Sequence, residues 1–232
     1  MKVVIKILKS VIALLLVFYA AYAVINGPAL YKILKERIAP KKAEDIQKEE
    51  AVSRLIASTA TPLAKKTVVA RGSTAQTPTA QPQNDPKSAF KNDWFYYSKL
   101  GIEAPFDWDV QMDNINKLLP YALVHAADSA APEEGGDVLI AGHSSDYWWK
   151  DSPYRDVFAP LVRAATGDTI VVKKHDKVYL YTVSGTQTIG ANEGFKVEKG
   201  GNFPKTLNLF TCVPVGTNLK RLIVTADLTK AY

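Results

Sequence analysis

The sequence predicts an all-β domain, a closed or nearly closed barrel with a few short helices, carried behind an N-terminal appendage. Its second half contains many short runs rich in β-branched and aromatic residues that alternate with polar ones. Turn signals built on Gly, Asn and Asp separate these runs, and few segments show a helical period. Evenly spaced short strands of this kind favour a barrel. With 232 residues, 47% of them apolar, the chain is long enough for one domain and its appendages.

Residues 1–30 are predicted to form a transmembrane anchor. The run from Val11 to Ile25 is apolar throughout. Lys6 and Lys9 lie near its N-terminal end and can snorkel to the interface, which leaves about 20 residues for a span. The alternative is a cleaved signal peptide, because Ala21-Tyr22-Ala23 has the small-x-small form of a cleavage site. Both interpretations predict an exported domain, and we favour a retained anchor.

Two further segments separate this anchor from the predicted barrel. Residues 31–57 have spaced apolar positions among many Lys and Glu, which predicts a polar helical stalk interrupted at Pro40. Residues 58–89 are rich in Thr, Pro, Ala and Gln and cannot bury enough apolar surface to fold. We expect them to form a disordered linker, on which the following domain can move above a membrane.

The charge of the chain is concentrated in this N-terminal arm. Residues 1–90 contain 14 Lys and Arg against 6 Asp and Glu, a net charge of +8, whereas residues 91–232 contain 15 against 17, a net charge of −2. A basic arm beside an apolar segment predicts an anionic membrane or wall as its neighbour. It argues against a nucleic-acid-binding domain, because the domain itself lacks a positive excess.

The domain is predicted at residues 90–232, as a succession of short strands. In chain order we expect an opening strand and turn across 94–106, a short helix at Asp113–Leu119, and strands at Tyr121–His125 and Asp137–Ala141. A loop with a short helix across 147–162 and a hairpin formed by 169–173 and 177–188 follow. A Gly-rich segment at 190–204 then leads to two last strands, which begin at Leu207 and Leu222.

Three chemically distinctive side chains lie at the ends of predicted strands. Cys212, the only cysteine, ends the strand that begins at Leu207, because Val213-Pro214 follows it. Arg221 opens the next strand after a turn at 216–218, and His143 directly follows the strand Asp137–Ala141. A thiolate attacks carbonyl groups, and a nearby cation stabilises the oxyanion that forms. This set therefore suits acyl transfer, with the histidine moving protons.

The motifs around these residues resemble those of the sortases, cysteine transpeptidases of Gram-positive-type cell surfaces. The matching blocks are Asn208-Leu209-Phe210-Thr211-Cys212, Arg221-Leu222-Ile223-Val224 and Ala141-Gly142-His143. The likeness extends from about Phe95 to Leu228. The chain departs from the family pattern at Asn208, where sortases usually have threonine, and at Ser144, where an arginine often follows the histidine.

The resemblance implies a sortase-like β-barrel and a role for each matching residue. Cys212 is expected to be the nucleophile, His143 the general acid/base and Arg221 the residue that stabilises the oxyanion or the substrate. Thr211 and His125 are expected to contact substrate, although ordinary strand packing is the competing interpretation for Thr211. Cys212 as an inert core thiol and Arg221 as a surface ion-pair residue are the alternatives, and the family pattern selects Arg221 over its neighbour Lys220.

The resemblance also implies a reaction and its partners. The enzyme would cleave an LPxTG-like sorting signal near the C-terminus of an exported protein, form a thioester on Cys212, and transfer the acyl group to an amine of a peptidoglycan precursor or a pilin lysine. We expect a single-pass protein of the cell membrane with an extracellular catalytic domain. No cofactor or metal is expected, because neither the three histidines nor the acidic residues have the spacing of a zinc site or a calcium loop.

Other functions remain open on the sequence alone. One is a non-catalytic, membrane-anchored β-domain that binds the wall or a partner protein. Another is a hydrolytic cysteine endopeptidase, which results if water reaches the thioester before the amine. A third is an L,D-transpeptidase, which is disfavoured because those enzymes place histidine and cysteine close together, whereas His143 and Cys212 are far apart in the sequence.

Overall fold

Eight β-strands close into a barrel, which confirms the predicted fold class. The computed structural model describes residues 2–38, 43–57, 89–147 and 149–232. The strands are β1 (Trp94–Tyr97), β2 (Ile102–Val110), β3 (Leu123–Ala126), β4 (Gly136–Ala141), β5 (Thr169–Lys174), β6 (Lys177–Gly190), β7 (Lys205–Val213) and β8 (Lys220–Ala231). Around the barrel they follow the order β1-β2-β3-β4-β7-β8-β6-β5, with β5 again beside β1.

Two of the neighbouring strand pairs are parallel. β2 runs parallel to β3, and the short helix α3 (Met112–Leu118) lies between them in the chain. β4 runs parallel to β7, so that both strands end at the same edge of the barrel. β8 then runs antiparallel to β7 and begins at that edge. The carboxyl ends of β4 and β7 and the amino end of β8 therefore meet.

The core fills the inside of the barrel. On β7 and β8, alternate residues point inward, and Leu207, Leu209, Leu222 and Val224 belong to the buried cluster. Burying a leucine or valine side chain stabilises a fold by roughly 1.5–3 kcal/mol. Residues of the opposite parity on the same strands face outward, which decides where the chemically distinctive side chains of these strands lie.

Two long helices precede the barrel in the chain. α1 (Lys2–Ile38) contains Val4–Val24, a segment of 21 residues that is long and apolar enough to cross a membrane by length and composition, although a signal sequence shares these properties. It continues without a break past residue 30. α2 (Ala43–Ala57) belongs to a second compact unit and carries the i,i+4 ion pair Glu44–Lys48, 3.1 Å long. Of the predicted linker, residues 58–88 lie outside the described residues.

The opening of the barrel differs from the sequence expectation of one strand and a turn. The segment forms an antiparallel hairpin, in which β1 and β2 are joined by a 3-10 helix at Ser98–Leu100. Gly101 closes this turn with a φ of 64°, the left-handed region that favours glycine. β2 continues to Val110, beyond the end of the predicted segment at residue 106, because its pairing with β3 extends it.

Candidate active site

Cys212 lies on the outer face of the barrel wall, close to the end of β7. It follows Thr211, which points inward with Leu207 and Leu209, so its own side chain has the opposite direction. The residue is partly exposed and its thiol is free. A free, accessible thiol beside an edge where strands end is available to react, whereas a core thiol is not.

Arg221 is the direct partner of Cys212 across the β7–β8 ladder. In the antiparallel register Cys212 pairs with Arg221, and cross-strand partners project from the same face of a sheet. The Arg221 guanidinium donates from Nη1 to the backbone carbonyls of Asn218, at 3.0 Å, and Lys220, at 3.2 Å. A guanidinium carries five N–H donors, so these two bonds orient the group without using all of its capacity.

His143 is held by backbone and side-chain hydrogen bonds on both sides. The residue before it, Gly142, donates its N–H to the Phe210 carbonyl at 3.0 Å. The Gly142 carbonyl accepts a hydrogen bond of 2.9 Å from the Thr211 hydroxyl, and the His143 carbonyl accepts one of 2.8 Å from the Phe158 N–H. The loop that carries the imidazole is therefore attached both to the cysteine strand and to the buried Phe158.

Cys212 and His143 line the same cavity, which has a volume of about 310 Å³. Its other lining residues come from the loop after His143 and from the loop between β7 and β8: Ser145, Asp146, Tyr147, Gly216, Thr217 and Asn218. Ser145 Oγ accepts a 3.0 Å hydrogen bond from the Gly216 N–H, which joins the two loops. Arg221 does not line the cavity among the described residues, but its guanidinium donates to the backbone carbonyl of Asn218, which does.

Burial and two neighbouring charges act on the imidazole. Burial lowers the pKa of His143 below its usual value, and the Lys150 ammonium lowers it further, while the Asp146 carboxylate raises it in part. Although burial opposes its ionisation, the pKa of Asp146 lies below its usual value, because the Lys150 ammonium, 2.9 Å away, and the Tyr147 N–H bind the carboxylate. His143 is therefore predominantly neutral at neutral pH and able to accept a proton.

The two remaining sequence-predicted site residues do not line this cavity within the described part of the chain. Thr211 is buried, and its hydroxyl binds the Gly142 carbonyl. His125 is fully buried on β3, with Nε2 at 2.9 Å from the Ala130 carbonyl and 3.0 Å from Ser129 Oγ. Burial lowers the pKa of His125. These contacts attach β3 to the turn that follows it, and a substrate contact for either residue stays a prediction.

Asn208, where the chain departs from the family pattern, joins three strands. Its side chain is buried, and Nδ2 donates to Asp137 Oδ1 on β4 at 3.1 Å. Its Oδ1 accepts a 2.8 Å hydrogen bond from the Thr225 hydroxyl on β8. A threonine side chain is one bond shorter than asparagine and carries a single hydroxyl in place of the separate donor and acceptor of the amide. The asparagine at this position is therefore explained by the two hydrogen bonds that join β7 to β4 and to β8, on the outer face of the barrel and four residues before Cys212.

Sequence reasoning missed two features that shape the site. One is the hydrogen bond between Ser145 and Gly216, which no local pattern indicates because the residues belong to different loops. The other is the edge-to-face contact of Phe195 with Phe210, whose ring centroids are 5.0 Å apart. Phe210 shares the outer face with Cys212, so the segment between β6 and β7 covers the wall beside the thiol. Among the residues that the structure describes, no cluster of His, Cys, Asp and Glu suited to a metal ion is found.

Comparison with known proteins points to one family. The family model of the sortase domain matches residues 98–229, more than half of the chain. No curated protein matches it. Similar solved structures include sortase C1 from Streptococcus agalactiae (22% identity, 60% of this chain and 67% of that chain covered, TM-score 0.49), sortase A from Listeria monocytogenes (20%, 60% and 86%, 0.47) and sortase E1 from Streptomyces coelicolor with a tripeptide in its active site (20%, 60% and 87%, 0.46). The family assignment depends on the family model, because the structural similarities are weaker.

Proposed function

Because the chain belongs to the sortase family of cysteine transpeptidases, we propose that Cys212, His143 and Arg221 carry out its acyl transfer. One observation supports this assignment above the others. The thiol and the imidazole line one cavity, and the guanidinium is the direct cross-strand partner of the cysteine. The cavity volume of about 310 Å³ is at the lower end of the range of pockets that hold small ligands, and a short peptide segment fits such a volume.

The first half of the reaction forms a thioester. The neutral imidazole of His143 takes the proton of the Cys212 thiol, and the thiolate attacks the carbonyl carbon of the scissile peptide bond. The tetrahedral oxyanion that results carries a negative charge, which the guanidinium of Arg221 stabilises. When the C–N bond breaks, the imidazolium returns its proton to the leaving amine. The acyl group then remains on Cys212 as a thioester.

The second half of the reaction transfers the acyl group to an amine. The incoming amine attacks the thioester carbon and loses its proton to His143, and the thiolate leaves and recovers a proton from the imidazolium. Arg221 stabilises the same oxyanion again. If water replaces the amine, the product is a free carboxylic acid, and the same side chains act as a plain endopeptidase.

We place the substrates at the cell surface. The acyl donor is an exported protein with an LPxTG-like sorting signal, and the acceptor is an amine of a peptidoglycan precursor or a pilin lysine. In this proposal α1 is retained as a single-pass membrane anchor with Val4–Val24 as its span, and the domain at residues 90–232 is extracellular. Residues 31–57 and 58–89 then serve as stalk and linker. This assignment follows from family membership and from the anchor.

Mass spectrometry of the acyl-enzyme tests the proposal. The full chain is incubated with a mixture of candidate sorting-signal peptides, first without and then with a peptide amine. We expect a mass increase on Cys212 that equals the N-terminal fragment of one peptide, and its loss when the amine is added, with formation of the joined product. Cys212→Ala removes the adduct. Absence of any adduct with the unmodified enzyme contradicts the proposal, and release of only the free acid identifies an endopeptidase.

Two variants assign the roles of the other residues. His143→Asn should lower kcat/KM by roughly 10²–10⁴-fold, the usual contribution of general acid/base catalysis. Arg221→Gln should lower it by about 10²–10³-fold, as for the loss of one oxyanion donor. His175→Asn is the matched control, because this histidine lies in the turn between β5 and β6 with an exposed side chain. Equal losses in the His143 and His175 variants would contradict the assignment.

A further inference from the structure

The end of the candidate membrane span is attached to the loop that borders the cavity. Tyr22 lies in the last turn of the Val4–Val24 segment, and its hydroxyl donates to the Val215 carbonyl at 3.1 Å. α1 also lies against the 3-10 helix Ala159–Arg163, whose first residue is buried together with Val215. Tyrosine is enriched where membrane helices leave the hydrocarbon core. A bilayer spanned by Val4–Val24 would therefore have its interface at the height of the Val215 loop.

Exposed apolar side chains lie on the loops next to this attachment. Val215 precedes the cavity-lining residues 216–218, and Leu219 follows them with 66% of its surface exposed. The loop after His143, joined to Gly216 through Ser145, carries Tyr147 and Trp149. Their rings stack with centroids 4.6 Å apart, yet 51% and 61% of their surfaces remain exposed. We call Tyr147, Trp149 and Leu219 the aromatic rim.

We propose that the aromatic rim rests in the headgroup region of the bilayer that α1 spans, so that the catalytic cavity opens at the membrane surface. Tyrosine and tryptophan prefer this region, because one part of each ring system is apolar and the other part forms hydrogen bonds with water or headgroups. The headgroup layers together add about 10–15 Å to the hydrocarbon thickness, so a rim near the height of Tyr22 reaches one of them. A bilayer is the occupant favoured over a protein, because the membrane helix itself binds the loop beside the rim.

This placement has a consequence for substrate selection. A cavity at the membrane surface meets a polypeptide where it leaves the bilayer, rather than at a distance above it. That consequence rests on the proposed acyl transfer, whereas the position of the rim rests only on the proposed membrane anchor α1. A catalytic domain that moves freely on residues 58–89, as the sequence composition suggests, would instead spend most of its time away from the lipid. The two arrangements differ in a measurable way.

Site-directed spin labelling of the full chain in lipid nanodiscs distinguishes them. The chain has one cysteine, so Cys212→Ala provides a background without thiols. Labels are attached at Leu219→Cys, at Trp149→Cys and, as a control, at His175→Cys. The control lies at the opposite end of the barrel, since β8 alone extends about 33 Å from Arg221 to Ala231. The discs contain phosphatidylcholine and phosphatidylglycerol, and accessibility to oxygen and to a neutral water-soluble nickel complex is measured.

We expect the labels at residues 149 and 219 to be several-fold less accessible to the nickel complex than the label at residue 175, and more accessible to oxygen. Replacing Tyr147 and Trp149 with serine should raise nickel accessibility at residue 219 toward the control value. Circular dichroism and thermal unfolding verify that each variant is folded. Equal nickel accessibility at all three positions would overturn the proposal, and so would protection at residue 219 that persists when the rim is replaced.

Discussion

The Thr211 hydroxyl donates a 2.9 Å hydrogen bond to the Gly142 carbonyl and thereby joins the residue before Cys212 to the residue before His143. Thr211 is buried on β7, and Gly142 directly follows β4, the parallel neighbour of β7. The bond is formed across the edge where both strands end. The relative position of Cys212 and His143 thus depends on one side-chain contact in addition to the strand ladder.

Thr211→Val should lower kcat more than it changes KM. Valine keeps the branched shape but removes the donor, so the buried Gly142 carbonyl loses a partner at a cost of about 1–3 kcal/mol. The loop that carries His143 then becomes less firmly positioned. Steady-state kinetics of peptide cleavage and urea unfolding measure the two effects. Thr211→Ser restores a hydroxyl and should recover much of the activity, whereas a rise in KM with unchanged kcat would indicate a substrate contact instead.

Gly142→Ala should destabilise the domain and impair catalysis. A Cβ atom at this position would lie 2.5 Å from Phe158 Cδ2 and 2.7 Å from Leu123 Cδ2, and both of these side chains belong to the packed core. Overpacking of this kind costs roughly 1–3 kcal/mol, and relief requires the His143 loop to shift. Gly185→Ala is the matched control, because its Cβ would meet open space. Thermal unfolding that is equally affected in both variants would contradict the steric explanation.

The strands beside the candidate site were predictable from local pattern. Alternation of apolar and polar residues predicted the strand that carries Cys212, and the proline after Val213 predicted its end. The register that sets Cys212 opposite Arg221 was not predictable in the same way, because it depends on the length of the loop between β7 and β8 and on which strand lies on each side.

Contacts between distant segments account for what the sequence did not indicate. β4 and β7 are parallel neighbours separated by some 65 residues of chain, and no local signal specifies that pairing. The sortase resemblance implies that His125 lies near the substrate, and in the structure its side chain is buried against Ser129 and Ala130. An apolar environment on both faces of a short strand gives no indication of which face a histidine occupies. A substrate contact of His125 stays a prediction.

Asn208→Asp should destabilise the protein at neutral pH. The new carboxylate would be buried beside Asp137, and it would replace the donor that now binds Asp137 Oδ1. An uncompensated buried charge costs roughly 3–5 kcal/mol, and the pKa of the new group is raised. The loss of folding stability is therefore fully present above that raised pKa and disappears as the pH falls below the unfolded-state pKa of about 4. Urea unfolding at pH 7 and at low pH measures it, with Asn208→Thr as the uncharged control; a deficit independent of pH would contradict the charge explanation.

Asp146 and Lys150 should move the acid limb of the pH–rate profile in opposite directions. Burial already lowers the pKa of His143, Asp146 raises it, and Lys150 lowers it. Asp146→Asn removes the charge that raises the pKa of His143, so the imidazole stays neutral to lower pH and the acid limb of kcat/KM shifts to lower pH. Lys150→Gln removes the charge that lowers this pKa and shifts the acid limb to higher pH. NMR titration of His143 in the Cys212→Ala background supplies the pKa of the imidazole separately from the kinetics. Lys177→Gln, at the far end of the barrel, is the control and should leave the limb in place. Shifts of equal sign in the Asp146 and Lys150 variants would show that loop rearrangement, rather than charge, governs the imidazole.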